Sequence, residues 1–278
     1  MEDIIKQAAR NRPLIAAHRG FAAGNIPCNT IASFEAALRC GADILEIDIT
    51  PSADGELFVF HPGKEPFHLG SQTYIPDMPA AEVRALRYRN YDHTPTQYPV
   101  STLDELFEHF KGRCFINLDK FWTCMPEITA CVRRHNIQDW VIAKSYPADE
   151  CLDFLEQEAS DIPFMPFINR EDDVTEDLLT RNIRLLGAEA HFLTEEDPAA
   201  SDEYIKAMHA KGLLVWANAI IFDYRSVESA GHTDDLALTG DPESGWGWLA
   251  KKGFDIIQTD WPGPMIDYLR QQGYLPRG

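Results

Sequence analysis

Eight short apolar runs, separated by amphipathic helical stretches and polar loops, constrain the fold of this 278-residue chain more than any other feature. Such runs are typical of buried strands, and their alternation with helices is typical of parallel βα units. The candidate strands are 13–17, 44–49, 114–119, 141–145, 164–169, 184–191, 213–218 and 255–260. Eight units at this length predict an α/β fold, a (β/α)8 TIM barrel formed as one domain by residues 1–278.

Helix signals between the strands agree with this fold. Ser or Thr residues stand directly before the predicted helices 31–39, 103–111 and 202–211, and two prolines lead into a last helix over 264–272. A doubly wound open sheet is the alternative arrangement of βα units. The chain lacks the motifs GxGxxG and GxxxxGK[ST] that mark nucleotide-binding sheets of that kind, which favours the barrel.

The repeat is irregular in two places, both after strands. Residues 51–101 hold an Asp54-Gly55 turn, a short strand LFVFH and several prolines, which indicates a small insertion after the second strand. Residues 220–247 form a second long connection, after the seventh strand. Loops that follow barrel strands lie at the carboxyl-terminal face, where barrel enzymes build their sites.

The charge of the chain excludes several kinds of partner. Asp and Glu outnumber Lys and Arg by 44 to 25, a formal net charge of −19. Binding to nucleic acid or to an anionic membrane needs clustered basic residues, so neither is expected. We find no signal peptide and no apolar run near the ~18 residues of a membrane span. The six cysteines show no CxxC spacing and are interpreted as free thiols in the cytoplasm.

Polar residues at the ends of the predicted strands supply the candidate chemistry. Glu46 and Asp48 are spaced i and i+2 in an apolar strand, so they share one face, and two buried acids side by side need a cation or a shared proton. His18 and Arg19 end the first strand, and His61 ends the strand of the insertion. Further polar or aromatic residues at strand ends are Asp119, Lys144, His191, Trp216, Asn218 and Asp260.

The order of these motifs resembles that of glycerophosphodiester phosphodiesterases, over nearly the whole chain. The motifs are His18-Arg19-Gly20, Asn29-Thr30, Gly41-Ala42-Asp43, Glu46-Ile47-Asp48, Asp54-Gly55, Val59-Phe60-His61, Ile116-Asn117-Leu118-Asp119, Trp216-Ala217-Asn218 and Gln258-Thr259-Asp260. The resemblance implies a metal-dependent barrel with an insertion after its second strand.

The resemblance also implies residue roles. His18 and His61 correspond to the catalytic acid–base pair, and Glu46, Asp48 and Asp119 to the ligands of one divalent cation. Arg19 matches the residue that holds the phosphate. These types suit the chemistry, since carboxylates bind hard cations and histidines transfer protons near neutral pH.

Three departures from the family pattern stand near this set. Cys28 and Pro62 occupy positions where the family usually has acids, and Asp119 replaces the usual Glu. The lysine that normally follows two residues after this ligand is here adjacent, as Lys120. Because neighbouring strand residues face opposite ways, Lys144 is predicted to contact substrate in its place.

A second resemblance, to sphingomyelinase D-like phospholipases, rests on the Glu, Asp, Asp ligand set. It favours Mg²⁺ over Ca²⁺ as the cation. Trp216 and Asn218 share a face of the seventh strand, and the tryptophan is predicted to form an apolar wall for the substrate.

The function that follows is metal-dependent hydrolysis of a small-molecule glycerophosphodiester to glycerol 3-phosphate and an alcohol. Two alternatives remain open: a lyase that stops at a cyclic phosphate, and a barrel that binds a phosphodiester or metabolite without turnover. No stable membrane insertion is expected. The sequence predicts neither the head group of the substrate nor the oligomeric state.

Overall fold

The computed structural model describes residues 3–168, 174–225 and 227–276. Its strands are β1 (Leu14–His18), β2 (Ile44–Pro51), β3 (Leu57–Val59), β4 (Arg87–Arg89), β5 (Pro95–Pro99), β6 (Phe115–Asp119), β7 (Val141–Ser145), β8 (Phe164–Ile168), β9 (Gly187–Ala190), β10 (Leu214–Asn218) and β11 (Ile256–Thr259).

Eight of these strands close into a parallel barrel. Neighbours follow the order β1, β2, β6, β7, β8, β9, β10 and β11, and β11 pairs with β1 to complete the ring. This confirms the predicted TIM barrel, and every predicted strand overlaps a barrel strand. The last residue predicted for the fifth strand, Asn169, lies outside the described residues.

The helices are α1 (Ile4–Ala9), α2 (Ile31–Cys40), α3 (Glu65–His68), α4 (Ala80–Ala85), α5 (Leu103–Phe110), α6 (Met125–His135), α7 (Asp149–Glu158), α8 (Thr175–Leu178), α9 (Asp202–Ala210), α10 (Asp234–Thr239), α11 (Trp248–Lys252) and α12 (Pro262–Gln272). Thr30, Thr102 and Ser201 cap α2, α5 and α9 with their side chains, as expected from the sequence. Within the described ranges, no helix combines the length and apolarity needed to cross a bilayer.

Alternation along the strands gives the barrel an apolar outer face and an interior whose polarity changes from one end of the strands to the other. Outward residues such as Ile47 and Leu118 pack in the core beneath the helices. Inward residues change along each strand, and those at the amino-terminal end form an apolar floor. Members of that floor include Leu14, Ile44, Phe115, Ile142, Met165, Leu214, Trp216 and Ile256. The inward residues above them are largely polar, so the polar site lies over an apolar base.

The insertion after β2 is a compact addition to the barrel. β3 pairs antiparallel with β2, and β4 with β5, while α3 and α4 lie between the two hairpins. The insertion has an apolar cluster of its own, which includes Phe58, Phe60, Ile75, Val83 and Tyr88. The second long connection, 220–247, contains α10 and a π-helical turn at Glu243–Gly247.

Candidate active site

Three carboxylates converge at the carboxyl ends of β2 and β6. Glu46 and Asp48 project inward from β2, and the parallel register places Asp48 beside Asp119, the last residue of β6. One oxygen of each residue lies within 4.8 Å of the oxygens of the other two. The three residues that the sequence singled out as metal ligands therefore form one cluster.

Two oxygens of the cluster, the Oδ1 atoms of Asp48 and Asp119, have no hydrogen-bond donor among the described residues. Glu46 and Asp48 are buried. Burial, and then the charge of Asp48, raises the pKa of Glu46 to about 7. Buried carboxylate oxygens without donors are costly unless a cation compensates them, and hard divalent cations prefer such ligands. The residues present therefore fit an ion of the Mg²⁺ or Ca²⁺ type.

Arg19 and Asn29 hold the acids of β2 in place. Arg19 has a positive φ of 56°, its backbone N–H donates to Glu46 at 2.8 Å, and its Nε lies 2.8 Å from Oδ2 of Asp48. Asn29 donates to the same Oδ2 at 2.9 Å. Burial would raise the pKa of Asp48, but Arg19, and after it His61, keep this pKa below its ordinary value. Asp48 is thus ionised, with Oδ2 occupied and Oδ1 facing the cluster without a donor.

His18 is oriented by a carboxylate to which the sequence assigned no role. Its Nδ1 lies 2.7 Å from Oδ1 of Asp260, directly after β11. Burial lowers the pKa of His18, but the hydrogen bond to Asp260 and the charge of Glu46 outweigh burial, and the pKa is raised overall. Two signals in the sequence pointed to Asp260, its position at a strand end and its place in the motif Gln258-Thr259-Asp260. The pair leaves Nε2 of His18 as the ring nitrogen available for chemistry.

His61 comes from the insertion, two residues beyond β3. Its Nδ1 lies 2.8 Å from the carbonyl oxygen of Pro62. A carbonyl can only accept, so Nδ1 carries the proton, and in the neutral ring Nε2 has the free lone pair. That Nε2 lies 4.0 Å from Oδ1 of Asp48. Burial, opposed mainly by Asp48, lowers the pKa of His61. The proline at the position of the usual acid thus fixes the tautomer through its carbonyl group.

Lys120 faces the cavity, and the expectation that it points away was wrong. Strand alternation does not apply to it, because β6 ends at Asp119 and Lys120 has a φ of 62°. Its Nζ lies 2.7 Å from Oδ2 of Asp119 and 3.9 Å from Oδ1 of Asp48. Lys120 therefore provides a cation beside the carboxylate cluster.

Lys144 lies deeper, at the floor of the cavity. Its side chain is about 2% exposed and forms an ion pair with the equally buried Glu189. Its Nζ also lies 3.8 Å from the centroid of the Trp216 ring. These contacts occupy the ammonium group, so the geometry favours a structural role over the predicted contact with substrate.

Trp216 and Asn218 share a face of β10, as expected, but both lie beneath the cavity. Both are fully buried, and Nε1 of Trp216 donates to Oδ1 of Asn218 at 3.0 Å. Nδ2 of Asn218 donates to Glu189 at 2.6 Å. Trp216 belongs to the apolar floor of the barrel. Its bulk therefore supports the site from below and does not form the predicted wall.

Aromatic side chains from three loops and from β8 form the wall instead. Tyr146 packs on Phe167 with ring centroids 4.9 Å apart and on Trp122 at 5.7 Å. Phe222 meets the edge of His18 at 5.9 Å. The cavity between this wall and the carboxylates measures about 310 Å³. Sequence analysis missed Trp122, Tyr146 and Phe222 because they follow the strands without periodicity, and it assigned no role to Phe167 of β8.

His191 lines the same cavity with both ring nitrogens engaged. Nε2 lies 3.0 Å from Glu189 and Nδ1 lies 2.8 Å from Glu228. Burial opposes the charged form, but the two carboxylates outweigh it and raise the pKa of His191 to about 10. The ring is therefore protonated at neutral pH, and since both nitrogens are hydrogen-bonded to carboxylates, neither is free for proton transfer.

Cys28 is unsuited to nucleophilic chemistry. Burial, opposed by Arg19, raises the pKa of its thiol to about 11. The reactive form of a cysteine is the thiolate, so a neutral thiol at this position is inert.

A family model described as a domain of unknown function matches residues 164–269, from β8 into α12. Among curated proteins, the uncharacterized protein YqiK of Bacillus subtilis is 26% identical over 211 residues, covering 72% of this chain and 83% of the relative. A glycerophosphodiester phosphodiesterase of Caldanaerobacter subterraneus is 27% identical over 143 residues, covering 49% of this chain and 58% of the relative.

Solved structures share the fold over nearly the whole chain. A glycerophosphoryl diester phosphodiesterase from Parabacteroides distasonis has a TM-score of 0.77 at 19% identity, covering 94% of this chain and 87% of the other. An Oleispira antarctica phosphodiesterase in complex with the product sn-glycerol-3-phosphate has a TM-score of 0.67 at 20% identity, covering 94% and 98%.

Proposed function

We propose that this chain hydrolyses glycerophosphodiesters to glycerol 3-phosphate and an alcohol. Its named homologues and structural neighbours are glycerophosphodiester phosphodiesterases, the family that its motifs resemble. The observation that carries the proposal is the single cavity onto which a carboxylate cluster, an arginine and two histidines converge. This combination suits cleavage of an anionic ester in which a proton is removed on one side and delivered on the other.

In the proposed enzyme, Glu46, Asp48 and Asp119 hold one divalent cation. We favour Mg²⁺ over Ca²⁺, since Mg²⁺ is bound through few carboxylates, whereas Ca²⁺ takes six to eight oxygen ligands. A cation bound there would neutralise charge on the non-bridging phosphate oxygens.

Arg19 and Lys120 are proposed to hold the phosphate. Both line the cavity and lie beside Asp48. Cations next to a phosphodiester offset its charge and orient its oxygens, which matters in a chain with a large excess of acids. We propose that Lys144, with Trp216 and Asn218, supports this site from the floor of the barrel.

The two histidines divide the proton transfers. We assign the general base to His61, because Pro62 fixes the proton on Nδ1 and leaves Nε2 with a lone pair directed toward the cluster. We assign the general acid to His18, because a carboxylate on Nδ1 stabilises the protonated ring.

The reaction then has two balanced steps. His61 removes the proton of the glycerol hydroxyl next to the ester, that oxygen attacks phosphorus, and His18 gives its proton to the departing alcohol. The cyclic phosphate is opened by water with the two roles reversed, which restores both histidines.

We further propose that residues 1–278 act as one domain, because the insertion supplies His61 to a site that the barrel otherwise builds. The six free thiols support a reducing compartment such as the cytoplasm.

Phosphorus NMR on glycerophosphocholine, with chelator and then with added Mg²⁺ or Ca²⁺, tests the proposal. We expect a phosphomonoester signal that the chelator abolishes and Mg²⁺ restores. His18→Ala and His61→Ala should be inactive, whereas His109→Ala, at an outer-surface histidine bonded to Glu35, should match wild type. A persistent cyclic signal would identify a lyase, and the absence of product with any metal would identify a binding protein.

A further inference from the structure

A second buried carboxylate, Asp234, stands behind the His18–Asp260 pair. It is the first residue of α10, in the long connection after β10, and is 3% exposed. It does not line the cavity between the histidines. No motif of the sequence includes it.

The carboxylate of Asp234 accepts three short hydrogen bonds. Oδ2 accepts from the backbone N–H of Asp260 at 2.8 Å. Oδ1 accepts from the hydroxyl of Thr259 and from Nε1 of Trp246, each at 2.7 Å. Burial raises the pKa of Asp234 to about 7, against the effect of these hydrogen bonds. Both oxygens accept hydrogen bonds whether or not the group is ionised, so Asp234 anchors the residues that it contacts.

The anchored segment is the turn that carries Asp260. The Thr259 hydroxyl that donates to Asp234 also accepts from the backbone N–H of Trp261, at 2.9 Å. The side chain of Asp260 is itself half exposed, and among the described residues its carboxylate accepts one side-chain hydrogen bond, from His18. The position of that carboxylate therefore depends on the backbone of residues 259–261. Asp234 fixes this backbone through its hydrogen bonds with Thr259 and with the N–H of Asp260.

We propose that Asp234 is a positioning residue for the general acid. Through the backbone N–H of Asp260, it fixes the carboxylate that orients His18. The same contact gives Trp246 a role as the ring that holds Asp234 in place. This inference rests on the proposed function, because it assigns to His18 the delivery of a proton to the departing alcohol.

Leaving-group dependence separates positioning of an acid from general support of the fold. An alkoxide such as that of choline needs a proton as it departs, whereas 4-nitrophenolate is stable without one. A variant with a misplaced His18 should therefore lose activity on glycerophosphocholine and keep most of it on glycerol 3-phosphate 4-nitrophenyl ester. A change that only loosens the barrel should lower turnover of both substrates equally.

The test measures kcat and KM on both substrates for wild type, Asp234→Ala and Asp234→Asn. For Asp234→Ala we expect kcat on glycerophosphocholine to fall by about 10- to 100-fold, less than the ~10²–10⁴-fold that acid–base catalysis supplies, because His18 is misplaced and not removed. On the nitrophenyl ester kcat should fall less than about threefold, with KM nearly unchanged on both. Asp234→Asn keeps one acceptor oxygen and should recover part of the loss.

Asp197→Asn is the matched control. Asp197 is also buried, and its carboxylate accepts backbone N–H groups at Leu193 and Thr194, in the loop after β9. Because this loop does not carry His18, the variant should show no preference between the two substrates. Circular dichroism and thermal melting establish that each variant is folded.

Trp246→Phe provides a second route if Asp234→Ala does not fold, since it removes one donor to Asp234 and keeps an aromatic ring. It should show the same selective loss, by about two- to fivefold. Equal losses on both substrates, or no loss in folded variants, would overturn the positioning role. A wild-type protein that cleaves neither diester would overturn the proposed function and the inference with it.

Discussion

Replacement of Lys144 by Met should destabilise the barrel by about 3 kcal/mol. Lys144 on β7 and Glu189 on β9 are each about 2% exposed and form an ion pair inside the barrel. Loss of the lysine leaves a buried carboxylate whose remaining donors are His191 and Asn218. A methionine fills similar volume, so the main change is in charge.

The size of the destabilisation expected for Lys144→Met follows from the pKa of Glu189. Burial would raise this pKa, but Lys144, and then the hydrogen bond with His191, lower it from an ordinary 4.5 to about 2. At about 1.4 kcal/mol for each tenfold change, this difference corresponds to roughly 3 kcal/mol of stabilisation of the ionised group. Removal of one partner of a buried pair typically costs 3–5 kcal/mol, and the remaining donors place Lys144→Met near the lower end.

Urea unfolding at pH 7 measures the effect for Lys144→Met, Glu189→Gln and the double variant. The double variant should be more stable than the sum of the single changes predicts, by at least about 1 kcal/mol, because it removes both charges. Lys111→Met is the control, since Lys111 pairs with Glu108 on the surface and should cost less than about 1 kcal/mol.

The contribution of Glu189 to the free energy of unfolding should decrease at acidic pH. Because the folded pKa of Glu189 lies below the unfolded value, its stabilisation is complete above about pH 4.5 and is lost as the pH falls toward 2. Glu189→Gln should lack this part of the acid transition. A Lys144→Met protein within about 0.5 kcal/mol of wild type, or strictly additive single changes, would refute the reasoning.

Three further predictions concern the cavity. Lys120→Met should raise KM for glycerophosphocholine at least about tenfold by loss of a phosphate contact, and an unchanged KM in steady-state kinetics would contradict this. Asp119→Asn should weaken Mg²⁺ binding by about 10-fold or more in calorimetry, because a charged ligand is lost; equal affinity would exclude Asp119 as a ligand. His18→Ala and His61→Ala should each lower kcat by ~10²–10⁴-fold, and a variant that keeps most of its turnover would remove that residue from the acid–base pair.

The barrel and its carboxylate cluster were predictable from the sequence because they depend on periodicity. Strand alternation requires Glu46 and Asp48 to face the same way, and parallel strands end at the same face of a barrel. Asp119 could therefore be placed with them from a distant segment. The structure places the three together.

Lys120 shows where this reasoning fails. Alternation holds only while the backbone stays extended, and the sequence does not mark the residue at which β6 gives way to a left-handed turn. Because Lys120 has a positive φ, its side chain points into the cavity. The sequence also does not show how deep in the barrel a strand residue lies. Trp216 and Lys144 point inward as predicted, but both are buried deeper in the barrel than expected.

Contacts between distant loops could not be predicted at all. Asp234 is an ordinary acid at the start of a short helix until the fold brings the end of β11 against it. The aromatic wall likewise combines residues from three loops with Phe167 of β8. Nothing in local composition distinguishes these residues from a solvated helix start or an exposed aromatic side chain.

The separate apolar cluster of the insertion divides the proposed catalytic apparatus into two cooperative units. His61 belongs to the insertion, whereas His18 and the carboxylate cluster belong to the barrel. A segment with a small core of its own can open at a lower free energy than the whole molecule. Warming should therefore inactivate the protein while the barrel, with its proposed cation site, remains native. Amide protons of residues 65–100, which lie beyond the β2–β3 pairing, should exchange before those of β1 and β11. In that temperature range the chain would bind the proposed metal ion and the phosphate of the proposed substrate without cleaving the ester.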